Sequence, residues 1–476
     1  MSRLIVVSNR VNVPKDSGAA AVGGLATAMA AALRKYDGVW FGWSGETAET
    51  FTGELNIQEA GGVTVATVDL ERQDVDEYYN GYANKTLWPL FHHRVDLTAY
   101  ERSYGEGYER VNRRFAEVLA PLIRPDDIIW VHDYHMIPLA RDLRRLGLKN
   151  RMGFFLHVPW PARQLLVTLP HHRRLVESMF AYDLLGFHTR EWFDLLRDYV
   201  VSEAGGRLIG SSTMECFGRR VEGGAFPIGI DVEGFVAAGN SRMGVRTYDR
   251  MAASSAFRSM IVGVDRLDYS KGLEERLLGY EQFLADNPDF HREVFLLQVT
   301  PISRDQVDAY QEIRARLDAL AGRINGEYAD MDWSPIRYVN RNYRRDQLAG
   351  IYRAARVGLV TPLRDGMNLV AKEYIAAQNP EDPGVLVLSR FAGAAEELTD
   401  ALIVNPFSRE ELSDAIKRAL TMPLDERIAR WTALMEAVRR SDVSLWRDNF
   451  VAALRAAGGA APEAGAPPAA IAATPR

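Results

Sequence analysis

Asp365 and Glu373 lie eight residues apart in the string Thr361-Pro362-Leu363-Arg364-Asp365-Gly366-Met367-Asn368-Leu369-Val370-Ala371-Lys372-Glu373, with a glycine turn and a helix start between them. That order sets one carboxylate at the turn, facing a reacting centre. The other, two turns into the helix, can accept hydrogen bonds from ligand hydroxyls. Backbone N–H groups from Gly366 to Val370 then point at an anion, because the first amides of a helix lack internal partners and carry its positive end. An acid pair at this spacing is common in charged helices, so the specificity lies in the whole strand–turn–helix string.

A second string, Asp265-Arg266-Leu267-Asp268-Tyr269-Ser270-Lys271-Gly272, sets two cations five residues apart. Such a pair can flank a diphosphate, with the guanidinium gripping two oxygens as a fork and the ammonium acting as a point charge. Taken alone, it equally describes a solvated charged loop. Near the N-terminus, Ser8-Asn9-Arg10 and then Gly23-Gly24 precede a helix-like run over 25–33. The paired glycines either bring main-chain amides close to an anion or make an ordinary flexible turn. No G-x-G-x-x-G follows the first apolar run and no G-x-x-x-x-G-K-[ST] occurs, which counts against dinucleotide and P-loop readings.

His92-His93, His132-Asp133-Tyr134-His135 and Asp330-Met331-Asp332 invite a metal reading. Without an H-E-x-x-H, a cysteine pair or an EF-hand spacing, no metal site and no cofactor are expected. Asp133 suits hydrogen bonds to ligand hydroxyls. His157 stands equally as a satisfied core histidine or a ligand contact.

These residues sit just after short β-branched or aromatic runs. One series covers 4–7, 39–43, 128–131, 153–157 and 184–187, and a second covers 260–264, 294–299, 357–361, 385–388 and 402–404. Helical stripes fall between them, such as Tyr108, Val111, Phe115, Val118 and Leu119, or Val307, Tyr310, Ile313, Leu317 and Leu320. The alternation predicts two parallel sheets with crossover helices, joined at 227–231. Open parallel sheets bind ligands beyond the carboxyl ends of their strands, where these residues lie.

A chain of 476 residues fits about two to three domains of roughly 150 residues each. Hydrophobic residues at 47% and charged residues at 25% are ordinary for folded soluble proteins. With 57 Lys plus Arg against 63 Asp plus Glu, the net charge of −6 gives no general attraction to nucleic acid or anionic membrane. Bound phosphates must therefore be held locally. The single cysteine, Cys216, excludes an internal disulfide framework and fits a reducing, cytoplasmic setting. There is no signal-peptide pattern and no apolar run near the ~18 residues a spanning helix needs. The Ala/Gly/Pro-rich tail over 456–476 offers little to bury and is expected to be disordered.

Taken together, Ser8-Asn9-Arg10, Gly23-Gly24, Phe41-Gly42-Trp43-Ser44-Gly45, Tyr78-Tyr79-Asn80, Leu87-Trp88-Pro89, Trp130-Val131-His132-Asp133-Tyr134-His135, Asp268-Tyr269-Ser270-Lys271-Gly272 and Asp365-Gly366-Met367-Asn368-Leu369-Val370 closely resemble the motifs of trehalose-6-phosphate synthases. The likeness runs from about residue 2 to residue 450. It implies an α/β fold of two Rossmann-like parallel-sheet domains facing across a cleft, the type B glycosyltransferase architecture. The implied division is 1–228 for acceptor binding, 229–440 for nucleotide-sugar binding and a helix over 441–455 returning to the first domain. The implied reaction joins glucose from UDP-glucose to glucose 6-phosphate with retention of configuration.

The resemblance also assigns residues. Arg10, Tyr79 and Arg304 would bind the acceptor phosphate, with Trp88 and Asp133 at the acceptor and Asp133 on its hydroxyls. Gly23 and Gly24 would form a loop over the substrates. His157 and Asp365 would meet the donor glucose, Arg266 and Lys271 the diphosphate, and the backbone of Leu369, Val370, Ala371 and Lys372 would complete the pocket. Glu373 would bind ribose, with Tyr343 near the base. Trp160 and Tyr343 each stand where another aromatic, commonly Phe, is expected, and the Tyr343 position bears on UDP against GDP preference. A symmetric homo-oligomer, dimer or tetramer, is expected. Rival readings are a synthase for another phosphorylated acceptor, such as glycerol 3-phosphate, and a catalytically silent sugar-phosphate-binding subunit. The latter would be expected to lose charges that this chain retains.

Overall fold

The computed structural model describes residues 2–11, 33, 38–60, 62–301 and 308–457. Gly23, Gly24, Arg304, most of the 25–33 run and nearly all of the 456–476 tail lie outside them.

The first sheet is built from β1 (Leu4–Arg10), β2 (Val39–Ala48), β3 (Asn56–Ala60), β4 (Val63–Glu71), β5 (Ile128–His132), β6 (Met152–Phe155), β7 (Leu184–Phe187), β8 (Arg207–Ile209), β9 (Thr213–Cys216) and β10 (Arg219–Ala225). Their order is β3-β4-β2-β1-β5-β6-β7-β10-β9-β8. Everything from β4 to β10 across this sheet pairs in parallel, while β3, β8 and β9 add antiparallel edges. The second sheet holds β11 (Ser259–Val264), β12 (Val294–Val299), β13 (Ile336–Val339), β14 (Val357–Val360), β15 (Val385–Ser389) and β16 (Leu402–Val404). It is wholly parallel, in the order β13-β12-β11-β14-β15-β16.

Strands such as Val294–Val299 are buried at every position, which is why they read as continuous apolar runs. The antiparallel edges were invisible to that criterion. β3 and β8 are almost wholly exposed and bury no face that would enforce a pattern.

Two segments tie the sheets together. Residues 227–231 lead from the first to the second, and the chain crosses beside them at Ser441. Gly229 has no room for a side chain there, since a Cβ would overlap the Ser441 carbonyl. The final helix, Val443–Ala456, then packs on the first sheet. Trp446 and Phe450 lie 4.9 and 4.7 Å from the Trp130 ring centroid. Among the described residues no helix is long and apolar enough to cross a membrane.

Candidate active site

In both sheets the strand order reverses direction once near the centre, between β1 and β5 and between β11 and β14. At such a switch point the flanking loops diverge to opposite faces and leave a crevice at the carboxyl ends of the strands. Arg10 ends β1 and Asp133 follows β5, while Arg266 and Lys271 follow β11 and Asp365 follows β14. Arg10, Asp133, Arg266, Lys271 and Asp365 thus lie at the two crevices.

The second crevice is organised around a buried ion pair. Asp268 caps the short turn Tyr269–Lys271 by accepting from the Ser270 amide at 3.0 Å. Lys271 then reaches Asp365, with Nζ 2.7 Å from Oδ2. The same oxygen accepts from Asn368 Nδ2 at 2.9 Å, and Oδ1 accepts from the Gly366 amide at 2.9 Å. Burial pushes the Asp365 carboxyl up, but the Lys271 ammonium, with His92 and the Asn368 amide, holds the group below the usual carboxylate range. Both loops are stitched together, because the Leu363 amide donates to the Ser270 carbonyl at 2.9 Å. Behind them Arg276 bonds Asp265 at 2.6 Å and Thr361 Oγ1 at 2.9 Å, entirely out of solvent.

In the first crevice Asp133 has a φ of 74°, a strained value for a residue with a side chain. The surroundings enforce it: its amide donates to the Phe155 carbonyl at 2.8 Å and its Oδ1 accepts from the His157 amide at 3.2 Å. The His157 ring lies 3.0 Å from His132, Nε2 to Nδ1. Burial pushes the His157 imidazole down to about 3, so it is neutral at ordinary pH. The other nitrogen of His132, Nε2, is buried with no partner among the described residues. An orphaned buried N–H is the costlier of the two possible orphans, so His132 carries its proton on Nδ1 and donates it to His157. His157 then keeps an N–H on Nδ1 to offer a ligand.

Arg10 is exposed at the mouth of this crevice, with its guanidinium 5.7 Å from the Trp43 ring centroid. Tyr79 packs on Trp43 at 5.6 Å and stacks on His135 at 5.9 Å. Trp88 bridges to the other half: its indole Nε1 lies 3.4 Å from Asp268 Oδ1, and the half-exposed Arg266 guanidinium sits 5.6 Å from its ring centroid. Closest of all is Gly366, which abuts the main chain of His157, leaving no space for a Cβ.

The helix Leu369–Ala377 opens the remaining wall. Asn368 caps it, accepting from the Ala371 amide at 3.4 Å, while Leu369 and Val370 supply the first two helical amides. The Lys372 side chain is buried away from the crevice, bonded to the Ile228 carbonyl at 2.9 Å and to Glu397 at 2.6 Å, where it braces the link between sheets. Any part it takes in ligand binding is through its main chain. Glu373 is pushed up to about 7 by burial, partly offset by Arg345. Tyr343 is half-buried against the core of the second sheet. Trp160 is wholly buried between Phe91 and Phe187 and is a core residue. Asp330 and Asp332 are each paired with Arg292 at 2.9 Å on the surface.

A model of glycosyltransferase family 20 matches residues 2–456. The chain belongs to that family. A trehalose-6-phosphate synthase of Sinorhizobium fredii is 48% identical over 453 residues, covering 95% of this chain and 98% of that relative. Among solved structures, a UDP-forming α,α-trehalose-phosphate synthase of Burkholderia xenovorans in complex with glucose 6-phosphate superposes with a TM-score of 0.91 at 48% identity, over 95% of this chain and 100% of that one. The Escherichia coli trehalose-6-phosphate synthase bound with UDP-2-fluoroglucose gives 0.91 at 44% identity, over 95% and 99%. The two-sheet architecture of this family-20 chain is thus the type B glycosyltransferase fold.

Several residues that line these two crevices are not legible in the sequence. Trp43, Asp268 and Asn368 were present in the quoted motifs, but nothing in their spacing marked them as partners of Arg10, Trp88 and Asp365. His132 passed as part of a metal-like cluster, and its bond to His157 became legible only from the adjacency of β5 and β6.

Proposed function

We propose that this chain is a retaining glucosyltransferase that moves glucose from UDP-glucose to glucose 6-phosphate, giving α,α-trehalose 6-phosphate and UDP. The observation that carries the reading is the meeting of the two switch points at Gly366, which sets the Lys271–Asp365 pair against the His157–Asp133 unit. The ligands held by the Burkholderia xenovorans and Escherichia coli relatives support both substrates.

On this reading Arg10, Tyr79 and Arg304 grip the acceptor phosphate, and Trp88 and Asp133 hold its sugar. Gly23 and Gly24 close over the substrates. His157 and Asp365 orient the donor glucose, Arg266 and Lys271 take the diphosphate, and Leu369 and Val370 aim helix amides at it. Glu373 accepts the ribose hydroxyls beside Tyr343. As the bond from glucose C1 to the β-phosphate oxygen breaks, charge grows on the departing diphosphate, and fixed cations and amides stabilise it without reorganising. The acceptor hydroxyl attacks C1 from the same face and its proton passes to the departing phosphate oxygen, so configuration is retained. Same-face attack of this kind needs no covalent glycosyl-enzyme, so detection of a glycosyl ester on Asp365 would refute it.

The same proposal extends to organisation: an acceptor unit over 1–228, a donor unit over 229–440, a returning helix over 441–455 and a tail over 456–476. Trp446 and Phe450 against Trp130 support the return. We also place the enzyme in the cytoplasm as a homo-oligomer, and the lone buried cysteine fits a reducing compartment.

The deciding assay offers the purified chain UDP-, GDP- and ADP-glucose with glucose 6-phosphate or glycerol 3-phosphate, products being identified by mass, with and without EDTA. Trehalose 6-phosphate formed from UDP-glucose at equal rates in both buffers is the expected result. Product only with glycerol 3-phosphate, or none at all, would reject the reading.

Glu373 supplies a pH test. Its proton is held up to about pH 7 in the fold but lost near the ordinary ~4.3 when unfolded, so this group favours folding fully below the lower value. That contribution is lost as pH rises towards 7. Donor binding runs the other way, because an ionised carboxylate accepts from ribose hydroxyls more strongly than a neutral carboxyl. The KM for UDP-glucose should therefore rise as pH falls through about 7. In Glu373→Gln the KM should be higher and flat across that window. An unchanged slope in the variant would remove Glu373 from the ribose site.

A further inference from the structure

His157 is held at two points. Its amide donates to Asp133 Oδ1 at 3.2 Å, which fixes the main chain, and its ring Nε2 lies 3.0 Å from His132 Nδ1, which fixes the side chain. The second restraint comes from strand pairing. β5 and β6 run in parallel with His132 opposite Phe155, so the side chain that ends β5 meets the ring two residues beyond its partner. Among the described residues no other ring bonds to His157. Phe155, His188 and Trp446 pack around it at 4.7, 5.3 and 6.0 Å between centroids.

His132 is itself enclosed. It is 1% exposed, and Trp130 and Trp446 flank its ring at 4.5 and 6.3 Å. Trp446 belongs to the returning helix Val443–Ala456, so both ends of the chain close this cage. With the His132 proton on Nδ1, Nε2 of His157 is the acceptor, and the one proton of a neutral His157 sits on its own Nδ1. That nitrogen has no partner among the described residues and is not among the atoms sealed in the core, so it reaches the crevice. The pair thus delivers a single N–H of fixed direction beside Gly366.

We infer that His132 is a positioning residue for glucosyl transfer: it holds the His157 ring and its proton so that Nδ1–H donates to a hydroxyl oxygen of the donor glucose. The inference rests on the proposed placement of that glucose at His157, whereas the bond between the two histidines does not. A ring released from His132 can turn over or shift its proton, and then presents a C–H or a lone pair where the sugar meets a donor. Neither ring exchanges a proton in the reaction. Burial pushes His157 down to about 3, so its part is geometric.

The bond is read directly from proton–nitrogen correlation spectra of the full-length chain labelled at histidine, the His157 signal being assigned by its loss in His157→Gln. The Nδ1–H tautomer of His157 is expected in the wild type, and the Nε2–H tautomer would overturn the inference. Its consequence is read by calorimetric titration with UDP-glucose and with UDP. His132→Leu should weaken UDP-glucose about tenfold, the size of one lost hydrogen-bond partner, while unchanged affinity for UDP reports the fold. His132→Asn sets an amide nitrogen near the lost Nδ1 and should recover UDP-glucose to within about twofold of wild type. Turnover with glucose 6-phosphate should follow the same order. The ratio of His132→Leu to wild type should be equal at about pH 6 and about pH 8, because a neutral ring has nothing to titrate there.

Equal losses in the Leu and Asn variants, or UDP lost together with UDP-glucose, would reduce His132 to a core residue. Failure of the underlying reading looks different. If His157→Gln leaves UDP-glucose affinity unchanged, the donor glucose is not at His157 and both assignments fall. If His157→Gln weakens UDP-glucose and His132→Leu does not, the positioning role alone is overturned.

Discussion

Lys271→Ala is expected to lower turnover about 10²- to 10³-fold, the loss that follows removal of one preorganised donor to developing charge. The same change should also destabilise the fold, because Asp365 would be left buried and charged without its 2.7 Å partner. Breaking a buried pair from one side costs about 3–5 kcal/mol. The two effects separate in the double variant Lys271→Ala/Asp365→Asn, which removes the orphaned charge. Its denaturant midpoint should return towards wild type, while turnover stays low, since Asp365 also contacts the donor glucose; the catalytic loss assigned to Lys271 is read from the single variant. Recovery of both would remove Lys271 and Asp365 together from the transition state. Arg266→Ala provides the contrast: its guanidinium is half-exposed and 3.8 Å from the nearest carboxylate oxygen, so turnover should fall with little change in stability. Steady-state kinetics and urea titration on the four proteins decide the matter.

Local and periodic features were legible before the structure. The buried parallel strands announced themselves as apolar runs, and the loops after them held Arg10, Asp133, Arg266, Lys271 and Asp365, because open parallel sheets place ligands at their carboxyl ends. What stayed hidden depends on partners remote in sequence. The pairing of Trp88 with Asp268 spans 180 residues, and Lys372 reads as another helix-start cation until its bonds to Ile228 and Glu397 are seen. The π-helix Val75–Leu87 leaves no mark on hydrophobic spacing, since its turns are wider than the 3.6-residue period that such spacing reads. His132 required knowledge of which strands are neighbours.

Gly366→Ala should be nearly as damaging as loss of Lys271, for a geometric reason. A Cβ at this position would overlap the carbonyl oxygen of His157, which is backbone and cannot rotate away. The glycine loop cannot retreat either, because the amides of Gly393 and Ala394 hold its far side through the carbonyls of Gly366 and Met367, at 2.7 and 2.9 Å. The strain must therefore open the contact between the halves that carry Asp365 and His157. A displacement of about 1 Å between reacting groups costs on the order of 10²-fold in rate, so kcat should fall by that factor. Binding of UDP alone should survive, since Arg266, Lys271 and Glu373 all belong to the second half and keep their mutual geometry. Gly322→Ala, with nothing within 4 Å of the new methyl in the helix Asp308–Tyr328, should leave both unchanged. If Gly366→Ala turns over at the wild-type rate, the two crevices do not meet at this residue during catalysis. If it loses UDP affinity as well, the damage lies within the second half, and the contact across the cleft is not what the glycine protects.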